Sequence, residues 1–126
     1  MAQYRSAAEM LWGDAGRHAV NRFADLNRAY WAGALLPTPI VIGLTSYGRA
    51  DGLTRCRRQP GQARITLASR LFANLRRLDD VLLHEMVHLE LALAGRDTGH
   101  NTNSWCRRTV ELSLPVLGHA IAVAPV

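Results

Sequence analysis

A chain of 126 residues carrying fifteen basic and ten acidic side chains, net +5, is one domain's worth of protein with 48% apolar residues. That length and composition suit a single globular unit with a real core. They exclude a membrane-spanning protein, since no apolar run is long enough, and the first residues, Met1 to Glu9, lack the apolar stretch of a secretory signal. The expected address is cytoplasmic, with no membrane partner. Cys56 and Cys106 are the only cysteines and are far apart, so neither a disulfide framework nor a C-x-x-C zinc site is expected.

In chain order, Ala2 to Leu11 reads as a short helix. Gly16 to Ala32 reads as a clearer one, with Val20, Phe23, Asn27 and Tyr30 along one side and Gly33 ending it. Pro39 to Thr45 is β-rich after a proline break. Asp51-Gly52 is a turn signal before a second strand, Leu53 to Arg58; Pro60-Gly61 is another turn before a third, Arg64 to Leu67. Ser69 to Leu75 reads as a short helix. The basic residues are all arginine, and the densest group is Arg55, Arg57 and Arg58 with Arg64 nearby. Such a cluster suits phosphate contact, or is a solvated charged face.

The next segment contains His84-Glu85-x-x-His88, flanked by Leu82, Leu83, Met86, Val87 and Leu89. Asp79 and Asp80 suit a helix start and Gly95 its end. The helix is apolar nearly all round and is expected to be buried. At i and i+4 two imidazoles share one face and can grip one metal ion, while Glu85 can take a proton from an activated water. This is the pattern of a zinc metallopeptidase. A catalytic zinc takes a third protein ligand. The metzincin arrangement is ruled out, because Leu91 and Ala94 stand where its Gly and His belong. His100 is the favoured third ligand: it follows a loop ending in Gly99 that can carry the chain back along the helix. Glu111 competes with it, Asp97 and Glu90 are near in sequence, and His119 reads as structural. Ser104 to Leu114 is a further helix, stopped by Pro115.

Three stretches carry a family resemblance. Asn27-Arg28-Ala29-Tyr30-Trp31-Ala32-Gly33-Ala34-Leu35 resembles the end of the opening helix of the SprT-like metalloprotease domain, the group that includes the Spartan proteases acting on DNA–protein crosslinks. Leu82 to His88 is similar to its active-site helix. Gly99-His100-Asn101-Thr102-Asn103-Ser104-Trp105 is similar to its segment bearing the third ligand, with Asn101 where Gly is frequent and Trp105 for the commoner Phe. The resemblance implies His84, His88 and His100 as zinc ligands and Glu85 as the base. The four-Cys zinc ribbon that often follows this domain is not in the sequence.

The expectation is therefore a single SprT-like domain over 1–126, with a core of about 16–114. Its class is α+β: a small, mainly antiparallel sheet packed on helices, zincin-like, with the H-E-x-x-H motif on a buried helix. The expected activity is that of a Zn²⁺-dependent endopeptidase acting on protein or peptide. The family resemblance adds DNA-associated proteins as substrates, with DNA touched through Arg55, Arg57, Arg58 and Arg64. The alternative is a nucleic-acid-associated adaptor whose metal mainly holds the fold; Glu85 argues against it. No residue declares itself as oxyanion donor, Tyr47 being the nearest aromatic suggestion.

Overall fold

Helix α1 (Ala2–Trp31) is two helical arms meeting at Gly13, whose φ of 62° and ψ of −136° only glycine adopts freely. The bend is sharp. Eight residues of straight helix would span about 12 Å, yet a Cβ placed on Gly16 would stand 2.1 Å from the carbonyl oxygen of Ala8. The arms therefore fold back with backbone on backbone, and Gly16 is the residue that permits it. The predicted break is real but sits at Gly13, with Gly16 inside the second arm. That arm buries Val20, Phe23, Leu26 and Trp31, while Tyr30 turns outward.

The computed structural model describes residues 2–35, 38–43, 51–56, 63–96, 99 and 102–112. Among them lie three helices and three strands. The end of α1 is wrapped by Asn27. Its side-chain amide donates to the Leu35 carbonyl at 3.1 Å, and its Oδ1 accepts from the Leu35 N–H at 3.0 Å. Its backbone carbonyl accepts from Gly33 at 3.0 Å. Ala32 and Gly33 both sit at positive φ, 52° and 78°, so the chain reverses in two residues and Leu35 drops into the core.

Strands β1 (Ile40–Gly43), β2 (Gly52–Arg55) and β3 (Arg64–Ala68) form one sheet in the order β1-β3-β2. β1 runs parallel to β3, with Ile40 beside Ile65, and β2 runs antiparallel to it, with Gly52 beside Leu67. The sheet is thus mixed, not mainly antiparallel. The successive strands β2 and β3 are antiparallel neighbours, but β1 also pairs with β3 and not with β2, so β3 lies between them. Its Ile65 and Leu67 are fully buried, and the centre is the position that covers such residues best. Gly52 opens β2 directly after a bend at Asp51, and the Asp51 carbonyl extends the ladder by accepting from the Ala68 N–H at 2.8 Å.

A 3-10 turn, Ser69–Ala73, leads into helix α2 (Leu75–Leu93). The start is four residues earlier than Asp79, because Asn74 caps it by accepting from the Arg77 N–H at 3.3 Å. Asp79 instead pairs with Arg22 of α1 through two bonds of 2.9 and 3.0 Å. The end is as expected. Gly95 takes φ 70°, its N–H meets the Ala92 carbonyl, and the Arg96 N–H meets the Leu91 carbonyl at 2.8 Å: a Schellman close. Helix α3 (Asn103–Glu111) is capped by the Thr102 hydroxyl, which accepts from the Trp105 N–H. α1 packs on β1, and α2 packs on β2 and β3. Ile65, Leu67, Leu78, Leu82, Met86 and Phe23 fill the centre. No helix among the described residues is long and apolar enough to cross a membrane.

Asp51 ties three elements together. One carboxylate oxygen accepts from Arg70 at 2.9 and 3.1 Å, the other from Arg77 at 2.8 and 3.2 Å. Partial burial pushes its pKa up, but the two guanidiniums more than offset this and hold it below the ordinary value. A depressed carboxylate pKa stabilises the fold above the usual carboxylate range, and that contribution is lost as pH falls through the folded-state value. Asp51→Asn is expected to cost about 1–2 kcal/mol at neutral pH. In denaturant titrations the gap from wild type should close in acid.

Candidate active site

The middle of α2 is buried on every side. From Val81 to Val87 every residue is buried, His84 and Glu85 included. Burial of two polar side chains needs compensating contacts, and the neighbours supply a specific set. His84 and His88, one turn apart, bring their Nε2 atoms to 3.1 Å. Two nitrogens each bound at 2.0–2.1 Å to one tetrahedral ion would lie about 3.3 Å apart, so the pair has the spacing of a chelate. The Trp105 indole of α3 lies over both rings, with centroids 4.1 Å from His88 and 5.0 Å from His84. Trp105 is 1% exposed, so this side of the pair is sealed. The orientation of both imidazoles is therefore set by packing as well as by the helix.

Glu85 points from α2 toward β2. Its Oε1 accepts the Thr54 hydroxyl at 2.8 Å, and the same hydroxyl is 3.0 Å from the Glu85 backbone carbonyl. Its Oε2 is 3.9 Å from His84 Nε2. Desolvation pushes the Glu85 pKa up to about 7, with hydrogen bonds from the Thr54 hydroxyl and backbone pulling the other way. Room for the carboxylate comes from Gly52. A Cβ on that residue would stand 2.8 Å from Val81 Cγ1, 2.9 Å from Glu85 Cγ and 3.1 Å from Glu85 Oε2. Gly52→Ala is therefore expected to displace Glu85 and to cost about 1–3 kcal/mol by overpacking. Denaturant midpoints compared with wild type check this; an unchanged midpoint would show that β2 yields freely.

A second cluster sets α3 against this site. Glu90, on α2, accepts the Trp31 indole N–H at 2.7 Å and two bonds from Arg108 at 2.5 and 2.6 Å. One carboxylate thus joins α1, α2 and α3, and its hydrogen bonds and charge raise the Arg108 pKa further. Arg108 also donates to Glu111 at 3.2 Å. Glu90 and Glu111 are accordingly engaged in ion pairs. Asp80, half-buried one turn before His84, has its pKa raised by desolvation.

Of the residues singled out in the sequence, His84, Glu85 and His88 come together. His100 lies outside the described residues, as do Asp97, His119, Tyr47, Arg57 and Arg58. Among the described residues no group of three His, Cys, Asp or Glu side chains gathers as a metal site. The ends of the segment bearing His100 are held together: the Gly99 carbonyl accepts from the Thr102 N–H at 3.0 Å and from its hydroxyl at 2.6 Å. Arg55 and Arg64 stand directly opposite each other in the β2–β3 register, both exposed. Gly52, Thr54 and the Trp31–Glu90–Arg108 cluster were not foreseen. A period-two reading of Gly52 and Thr54 as one face of a strand was the signal available for the first two.

No curated protein and no solved structure gives a match to the chain. A family model described as SprT-like matches residues 19–119. That span runs from the second arm of α1, with its Asn27 lock and Trp31, through the His84–His88 helix and past Trp105. Both the motifs and the contacts that join them fall inside it, and the protein belongs to the SprT-like family.

Proposed function

We propose that the protein is a zinc-dependent endopeptidase, zincin-like in its use of the H-E-x-x-H helix, with Zn²⁺ held by His84, His88 and His100. The observation that carries the reading is the Nε2 pair at 3.1 Å beside a buried carboxylate. The donor set fits zinc: two imidazoles at chelate spacing, with a third five residues before the Trp105 ring that packs on them. A bound Zn²⁺ would supply a Lewis acid for the scissile carbonyl and acidify a water.

The chain's own residues do the rest. Glu85, through Oε2, takes the water's proton and passes it to the departing amine nitrogen. A cation nearby favours the ionised carboxylate, opposing the desolvation that raises its pKa. Trp105 keeps solvent from one side of the ligand pair. A structural metal would have no use for a buried base at this position. The paired Arg55 and Arg64, together with the family, favour substrates associated with DNA in a cytoplasmic setting. Phosphate contacts of this kind are independent of sequence, and log K falls by about 0.9 per phosphate neutralised on duplex as log salt rises.

The test is cleavage of an unfolded protein by the zinc-loaded chain, with and without DNA. Cleavage that stops on chelation and returns with zinc is expected. Full zinc occupancy with no cleavage in either condition would favour the adaptor reading. Arg55→Ala/Arg64→Ala should weaken DNA binding and flatten its salt dependence; unchanged binding would remove DNA from the proposal.

A further inference from the structure

We propose that Thr54 is a positioning residue that assigns the two oxygens of Glu85 to different tasks, Oε1 to the strand and Oε2 to the proton. The inference rests on Glu85 being the base of the proposed peptidase. The hydroxyl of Thr54 has one hydrogen and two acceptors within reach, Glu85 Oε1 at 2.8 Å and the Glu85 carbonyl at 3.0 Å. The carboxylate oxygen is nearer and, when ionised, the stronger acceptor.

An oxygen that already accepts is the less available to take a proton. Oε2, by contrast, faces His84 Nε2 at 3.9 Å and rests over Gly52, where any side chain would crowd it. In the reaction the water's O–H bond breaks, its proton goes to Oε2 and its oxygen bonds to the scissile carbonyl carbon, whose C–N bond breaks as the amine leaves; Oε1 remains an acceptor for Thr54 throughout. The same proton then leaves Oε2 for the amine nitrogen. β2 thereby holds the carboxylate in one rotamer through the cycle. Pre-set geometry of this kind matters because small misplacements of a reacting group are costly in rate.

Thr54→Val keeps nearly the same shape and removes the hydroxyl; Thr54→Ser restores it. Two readouts separate the role of Thr54 from the peptidase reading. The first needs no metal: carboxyl ¹³C resonances of the four glutamates in the zinc-free protein at one fixed pH, with that of Glu85 identified by its loss in Glu85→Gln. Thr54→Val should move the Glu85 resonance, and Thr54→Ser should leave it near the wild-type position. The second is turnover at matched zinc content. Thr54→Val should lower kcat by about 10–100-fold with KM little changed, and Thr54→Ser should recover most of it. A Glu85 resonance that does not move in Thr54→Val, or a wild-type kcat in that variant, overturns the assignment. Absence of cleavage by the zinc-loaded wild type contradicts the peptidase reading instead, and the resonance still decides whether Thr54 holds the carboxylate.

Discussion

Glu85→Gln is expected to retain zinc and to lose about 10²-fold or more in kcat, the usual scale for removing a general base. The substitution is nearly isosteric. A glutamine oxygen can still accept the Thr54 hydroxyl now at 2.8 Å, and Gly52 still leaves space for the side chain. What disappears is the ability of the second position to take a proton. A neutral amide also removes the cost of ionising a group that is 2% exposed, so the zinc-free variant should be at least as stable as zinc-free wild type at pH 8. Low activity with full zinc, together with an unchanged or higher denaturant midpoint of the zinc-free protein, is the pattern that separates a lost base from a damaged fold. Wild-type turnover in this variant would mean that another group moves the proton.

The ligand set should show itself as sharply. His84→Ala, His88→Ala and His100→Ala are each expected to weaken zinc binding by more than the ~10–100-fold that loss of an outer-shell partner costs. Zinc content after dialysis against a weak chelator measures this. Saturating zinc should raise the melting temperature of wild type, since a ligand that binds only the native state stabilises it, and should do little for the three variants. Glu111→Ala is the control, because Glu111 is engaged by Arg108 at 3.2 Å and should leave zinc affinity unchanged. If Glu111→Ala loses the metal while His100→Ala keeps it, the third ligand has been misassigned.

Local signals in the sequence were reliable where the physics is local. The i, i+4 spacing of His84 and His88, the apolar surround of α2, Gly95 at its end and a helix beginning near Ser104 all depend on residues within a turn or two of each other. They appear in the structure with shifts of a few residues. The order of the strands was not legible in this way. Whether β3 pairs with β1, β2 or both depends on the burial of Ile65 and Leu67 against helices distant in sequence. Asp51-Gly52 shows the same limit from the other side. As a dipeptide it is a turn signal, and nothing in it announces the bonds that Asp51 accepts from Arg70 and Arg77 or the close approach of Gly52 to Glu85. Helical periodicity and family likeness pointed to Asn27, and family likeness to Trp31; their work, locking the α1 exit and binding Glu90, needs partners 8 and 59 residues away. Strand alternation could place Thr54 on a face with Gly52, but could not show which carboxylate it meets there.

The most direct measurement is anomalous diffraction at the zinc edge from crystals of the zinc-loaded wild-type protein. One peak is expected about 2.0–2.1 Å from Nε2 of both His84 and His88, with a His100 ring nitrogen at the same distance and Glu85 outside bonding range. A peak placed away from the His84–His88 pair, or one that Glu85 ligates directly, would contradict the assignment of these residues.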